Sequence, residues 1–194
     1  MNVLVILGSP KRDGHTTVVL DHYLKAFNDA GHHVETLFLR GMKMIPCIDC
    51  AKCKETGECA IPDDMTLVYQ KIKEAQFIVM ASPVYFNSVS SFMKIMIDRC
   101  QVYWSKKFVL KDRKKTKDKD GVLICTAGVK HDEETLIGAT KVVDLFFKAV
   151  DANYLDTLWV DDTDKIPAID QTDTLKNIEV KALKHLNELE AKYK

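Results

Sequence analysis

The sequence has neither a net charge nor a long apolar run. Its Lys and Arg number 28, matched by 28 Asp and Glu. Such a balance gives no general attraction to nucleic acid or to an anionic membrane. No apolar stretch approaches the roughly 20 residues that span a bilayer. The apolar stretch after Met1 is short and has no basic residue before it. It reads as a buried strand rather than an export signal, and a cytoplasmic location is expected. Two phosphate-loop signatures are also missing. There is no G-x-G-x-x-G of a dinucleotide fold and no Gly-Lys-Ser/Thr of a nucleoside triphosphate loop. Neither Leu4–Gly8 nor Ile78–Ser82 contains an Asp or Glu, which argues against the acidic pocket of a receiver-type signalling domain. The six cysteines do not suggest a disulfide framework, which is implausible in a chain of this size with no export signal.

What is present is a chain of 194 residues, 46% hydrophobic, long enough to bury a core. One domain over 1–194 is expected, with no repeats and no linker. Short apolar runs alternate with helical patterns. Asn2–Leu7, His33–Leu39, Phe77–Ala81, Val122–Thr126 and Tyr154–Val160 read as strands. Helix-spaced apolar residues stand between them: Leu20, Leu24 and Phe27; Leu67, Val68 and Ile72; Phe92, Met93, Met96 and Ile97; Leu136, Val143, Phe146 and Phe147. Leu175, Ile178, Leu186 and Leu189 line a last helix. Gly31 stands where the first helix would stop, and Asp63 or Asp64 would cap the second. Five strands alternating with five helices demand a mostly parallel sheet covered on both faces. Such sheets bind ligands at the carboxyl ends of their strands, so the loops after strands one, three and four carry the search.

The first loop, Gly8-Ser9-Pro10-Lys11-Arg12-Asp13-Gly14-His15-Thr16-Thr17, combines two glycines and several hydroxyls before a helix. Free N–H groups and the helix dipole suit it to an anion such as phosphate. The plainer alternative is a turn with Thr16 as helix cap. This segment resembles the phosphate loop of the NAD(P)H-dependent FMN reductase and iron–sulfur flavoprotein families. The resemblance spans nearly the whole chain. It implies a flavodoxin-like three-layer sandwich with a five-stranded parallel sheet in the order 2-1-3-4-5. It also implies that Ser9, Lys11, Gly14, His15, Thr16 and Thr17 surround the phosphate of FMN. His15 replaces the Asn usual in these families.

The second loop, Ser82-Pro83-Val84-Tyr85-Phe86-Asn87, is similar to the families' segment around the isoalloxazine ring. Pro83, Val84 and Tyr85 would offer apolar surface to a planar ring, and Asn87 and backbone N–H groups would bond its polar edge. The plainer alternative is that Tyr85 and Phe86 pack onto the sheet, and that Ser88 or Ser90 caps the next helix. After strand four, Thr126-Ala127-Gly128 corresponds to a turn near the pyrimidine end of the flavin. Cys100 and Cys125 read as small buried hydrophobes.

Cys47-x-x-Cys50-x-x-Cys53-x₅-Cys59 is the most distinctive feature, within a cysteine-rich loop at 41–62. Three cysteines at intervals of three can wrap one cluster, whereas structural zinc favours two C-x-x-C knuckles set further apart. Zinc, a redox pair and free thiols stay open. The iron–sulfur flavoprotein resemblance implies a [4Fe–4S] cluster on Cys47, Cys50, Cys53 and Cys59.

The remaining signals are weaker. The basic stretch Lys111–Lys119 reads as a solvated loop, with an acidic partner or a nicotinamide cofactor's phosphates as the alternative. Tyr103 and Trp104 suit an oligomer interface. Asp98-Arg99 resembles a structural or interface pair, and His131 follows the third loop. The resemblance implies a homodimer or homotetramer. The expected function is an FMN-dependent oxidoreductase that exchanges electrons with a ferredoxin-type partner through the cluster. Without a cluster, NAD(P)H would deliver them, with a quinone, flavin or other small-molecule acceptor. A non-enzymatic flavin or thiol redox sensor is the contrasting reading. No catalytic acid or base stands out.

Overall fold

The computed structural model describes residues 1–112 and 118–193. Of the basic stretch, 113–117 therefore lies outside the described residues. Five parallel strands form one sheet: β1 (Asn2–Leu7), β2 (His33–Phe38), β3 (Phe77–Pro83), β4 (Lys119–Thr126) and β5 (Ala152–Val160). Their order is β2-β1-β3-β4-β5, the flavodoxin-like arrangement expected. The helices are α1 (His15–Asp29), α2 (Lys52–Thr56), α3 (Met65–Glu74), α4 (Ser91–Arg99), α5 (Gln101–Trp104), α6 (Glu133–Ala149) and α7 (Thr172–Lys192). A π-helical turn, Ser105–Val109, extends α5.

Alternation along the strands divides the core in two. Leu4, Ile6, Ile78, Met80, Leu123 and Cys125 face α3, α4 and α6. Val3, Val5, Leu7, Val79, Ala81, Val122 and Ile124 face α1 and α7. This explains the continuous apolar runs: strands covered on both faces have no polar side to show. Cys125 is buried, and burial pushes its thiol up to about 12. Buried Cys100 is raised for the same reason. Both cysteines are inert at neutral pH, as core residues should be.

Side-chain caps close the starts of α4 and α6. Asp132 and Thr135 form a reciprocal capping box at α6. Ser90 caps α4, accepting from the Met93 N–H at 3.2 Å. The N–H of Met65 is taken by Asp63 Oδ1 at 3.1 Å, while Asp64 turns back to the Lys43 N–H at 2.7 Å. Gly31, with φ of +75°, closes α1. At the start of α1, as at those of α2, α3, α5 and α7, the cap residue's side chain makes no capping bond; at α1 that residue is Gly14. Thr16 lies inside the helix; the Thr17 N–H already donates to the Gly14 carbonyl at 2.9 Å, and the earlier first-turn N–H groups are left for a ligand.

Where α1 meets α7, His185 is 5% exposed and its Nδ1 lies 2.8 Å from the Tyr23 hydroxyl. Burial holds His185 below the ordinary histidine value of 6.5, outweighing nearby Asp156 and Glu188. The fold therefore prefers the neutral ring. Its contribution is present above the ordinary value and is lost as pH falls toward the lowered one. Thermal stability should drop as pH falls through and below the ordinary histidine value, and His185→Gln should flatten that drop. Parallel Tm curves for the two proteins would show that His185 protonates as freely folded as unfolded.

Candidate cofactor site

The carboxyl ends of β1, β3 and β4 bring the three expected loops together. The Gly8 N–H donates to the Ala81 carbonyl at 2.8 Å, which ties the start of the first loop to β3. The Ser90 hydroxyl donates to the Gly8 carbonyl at 2.6 Å, and the Ser90 N–H donates to Ser82 Oγ at 2.9 Å. Two serines thus knit the first loop to the second. Sequence reasoning assigned Ser90 only the cap.

Within the first loop Ser9 is buried, and its Oγ accepts the Lys11 N–H at 3.1 Å. The Lys11 side chain stays exposed. Thr16 Oγ1 lies 2.6 Å from Thr126 Oγ1, a buried contact between the first and third loops. Thr17 Oγ1 is buried with no hydrogen-bond partner. A buried hydroxyl without a partner costs about 1–3 kcal/mol, so a ligand acceptor there would repair a defect. His15 turns away: its Nδ1 accepts the Ala168 N–H at 3.3 Å, tying α1 to the segment after β5. That contact gives the His15 ring a structural partner. Arg40 Nη1 donates to the Pro10 carbonyl at 2.7 Å and holds the loop from the β2 side.

The second loop is a tight hairpin. Tyr85 and Ser88 exchange N–H···O bonds of 2.9 and 3.0 Å, and Phe86 and Asn87 both have positive φ, 49° and 56°. Two such residues make a turn of the I′ kind. The turn leaves Tyr85 half exposed and Phe86 fully exposed, so Phe86 does not pack onto the sheet. Val84 N–H donates to the Thr126 carbonyl at 2.8 Å, extending the β3–β4 pairing past Pro83. The hairpin rests on α6: a Cβ added at Gly138 would lie under 3.0 Å from the Asn87 carbonyl oxygen.

The third loop is braced by a fourth that the sequence did not single out. Thr163 N–H and Oγ both donate to the Ala127 carbonyl, at 3.1 and 3.0 Å, and the Asp164 N–H donates to the Gly128 carbonyl at 3.0 Å. A side chain at Gly128 would meet the Asp164 carboxylate. Asp162, at φ 56°, has a buried Oδ1 that pairs with the Lys165 ammonium at 3.2 Å. The run Asp161-Asp162-Thr163-Asp164 directly after β5 was the available signal. His131 is spent locally, its Nδ1 2.8 Å from the Val129 carbonyl.

The four spaced cysteines line one cavity of about 360 Å³ between their own loop and the α4–α5 wall. The loop is clamped at its base, where Ile45 N–H donates to Asp63 Oδ2 at 3.2 Å and Asp64 N–H to the Lys43 carbonyl at 3.2 Å. Asp49 and Ala51 have positive φ, 48° and 59°, and bend the chain around the cavity before α2. Cys47 and Cys50 are exposed, Cys53 and Cys59 half-buried. Among the described residues, no three His, Cys, Asp or Glu side chains are grouped as one metal ion needs.

Arg99 forms part of the cavity wall and is fully buried. It pairs with Asp63 and not with its neighbour Asp98, which bonds Lys94 at 2.8 Å. Burial alone would raise the Asp63 carboxyl, but bonds from Arg99, Ile45 and Met65 outweigh it and hold the pKa low.

A model of the family described as NADPH-dependent FMN reductase matches residues 1–160. An iron-sulfur flavoprotein of Methanocaldococcus jannaschii is 41% identical over 99 residues, 51% of this chain and 51% of that protein. One from Methanosarcina thermophila is 29% identical over 113 residues, 58% of this chain and 59% of its own. The chain spans about half the length of the curated relatives it matches. Among solved structures, the NAD(P)H:quinone oxidoreductase from Methanothermobacter marburgensis superposes with a TM-score of 0.71 at 18% identity, covering 94% of both chains. An FMN-dependent NADH-azoreductase from Bacillus anthracis gives 0.68 at 17%, covering 94% of this chain and 98% of its own. At these identities the structural likeness speaks for the fold.

Proposed function

The chain belongs to the NADPH-dependent FMN reductase family, and from that premise we propose that it is an FMN-dependent oxidoreductase whose four cysteines hold a [4Fe–4S] cluster. The observation that carries the flavin is the partnerless Thr17 hydroxyl beside an uncapped α1 N-terminus. Ser9, Lys11, Gly14, Thr16 and Thr17 would hold the phosphate, by backbone N–H groups, hydroxyls and one charge. The His15 backbone would join them while its ring braces the loop. Pro83, Val84, Tyr85 and Asn87 would bed the ring, and Thr126, Ala127 and Gly128 would meet its pyrimidine end. When bound, FMN supplies two-electron chemistry that can be released singly, and the cluster supplies one-electron transfer. The serine knit and the hairpin keep the bed in shape, and no side chain is assigned as acid or base.

The cluster reading is supported by the names of the relatives and by the shared cavity of Cys47, Cys50, Cys53 and Cys59. Electrons would come from NAD(P)H or a ferredoxin-type partner and leave to a small-molecule acceptor. The exposed Trp104–Phe108 pair, with ring centroids 4.2 Å apart, supports a homodimer or homotetramer. No helix among the described residues is long and apolar enough to cross a membrane. A single domain acting in the cytoplasm belongs to the same proposal.

Protein purified without oxygen should show flavin absorption near ~450 nm, with a broad shoulder near ~400 nm from the cluster. Lys11→Ala should weaken FMN binding by about tenfold, the loss of one charge-assisted bond. Colourless protein that takes up no FMN would sink the proposal. Flavin bands without iron and sulfide would leave a cluster-free reductase.

A further inference from the structure

A fully buried arginine needs more than one reason to lie beside four thiols. Arg99 ends α4 and has no exposed side-chain surface. Nη1 donates to Asp63 Oδ2 at 2.6 Å and to the Ile45 carbonyl at 2.8 Å. Nη2 donates to Asp63 Oδ1 at 3.0 Å and to Cys59 Sγ at 3.3 Å. The bidentate carboxylate would suffice for a purely structural ion pair. The bond to sulfur is additional, and it points into the cavity. Six residues on, the π-helical turn places a second donor on the same wall: Ser105 Oγ–H donates to Cys53 Sγ at 3.3 Å. The two half-buried sulfurs are therefore each held by a donor rooted in the fold, one charged and one neutral.

We propose that Arg99 and Ser105 tune the sulfur site by raising the reduction potential of the cluster that, in the reading above, the cysteines hold. The couple is [4Fe–4S]²⁺ taking one electron from the reductant to give [4Fe–4S]⁺, with no proton moved and no bond broken. The added electron makes the cysteine sulfurs more negative. Hydrogen bonds and positive charge at those sulfurs favour the reduced form, and exclusion of water strengthens both effects. Asp63 offsets part of the arginine's charge. Its carboxylate shares Nη2 with the sulfur, so a donor faces Cys59 in any case. A charged donor outweighs a neutral one about twofold. Arg99 should therefore have the larger effect.

The test is a dithionite titration of the purified, cluster-loaded protein, following cluster and FMN midpoints together and assaying iron and sulfide. Arg99→Gln should shift the one-electron equilibrium at least tenfold toward the oxidised form, about 59 mV lower. Ser105→Ala should shift it the same way by less, with the FMN midpoint unmoved in both. An unchanged cluster midpoint at wild-type iron content would overturn the inference. If Arg99→Gln does not fold, Ser105→Ala decides alone, and no shift there overturns it. Wild-type protein free of iron and sulfide would instead remove the cluster reading, and this inference would fall with it.

Discussion

Arg99→Met is expected to destabilise the protein by about 3–5 kcal/mol, lowering Tm by on the order of 10 °C. Methionine matches the bulk of the side chain but leaves Asp63 without its cation. Asp63 is only 10% exposed and would keep just the Ile45 and Met65 N–H groups as donors. Breaking a buried pair from one side strands a charge away from water, and that penalty exceeds the net value of the pair itself. A surface pair gives the contrast: Lys25 and Asp29 are about two-thirds exposed, and removing either should cost well under about 1 kcal/mol. The same substitution also frees the Ile45 carbonyl, so the base of the cysteine loop loosens with the pair. Denaturant unfolding of metal-free protein measures the fold apart from any cluster. Adding Asp63→Leu to Arg99→Met should recover part of the loss, because the stranded charge is then gone. A Tm within a degree or two of wild type would contradict the buried pairing.

Gly138→Ala is expected to weaken FMN binding by roughly tenfold to a hundredfold, corresponding to about 1.4–2.8 kcal/mol, while leaving the fold nearly as stable. A methyl at this position of α6 would sit under 3.0 Å from the Asn87 carbonyl oxygen, which belongs to backbone and cannot rotate aside. Either the helix or the hairpin must move. The helix is anchored by its capping box and by buried Leu136, Ala139 and Val143. The hairpin already carries two non-glycine residues in the left-handed region, each costing of order 1 kcal/mol, and its tip is solvated. It is the part that yields, taking Tyr85 and Asn87 with it. Alanine is also a better helix former than glycine by about 1 kcal/mol, which offsets the strain on stability. Fluorescence titration with FMN and a thermal melt separate the two effects. Unchanged affinity would remove the 85–88 hairpin from the flavin site, and a collapsed Tm would mean that the helix gave way instead.

The elements of the fold were legible wherever a local pattern had a single physical meaning. A strand covered on both faces must be apolar throughout, and β1 reads so from Val3 to Leu7. Gly31 ends α1 because the left-handed closure there favours a residue without a Cβ. The first loop was visible as a composition, and the alternative reading of Thr16 as its helix cap does not hold. Thr16 has the chemistry of a cap, but Thr126, 110 residues away, takes its hydroxyl. Similarly, Asp98 and Arg99 are adjacent in the chain and look like a pair. A helix points consecutive side chains in different directions, so one meets Lys94 and the other Asp63.

By itself the sequence determined the parallel five-strand plan, the three loops at its carboxyl edge and a segment of four closely spaced cysteines. These follow from periodicity, turn chemistry and ligand spacing, which act over a few residues. Only the tertiary structure decided that the loop after β5 braces Gly128, that His15 faces Ala168, and that Arg99 and Ser105 reach Cys59 and Cys53. Those contacts join positions from tens of residues to more than a hundred apart, and packing across the sheet and the α4–α5 wall selects them. No local propensity encodes which donor a buried sulfur will meet.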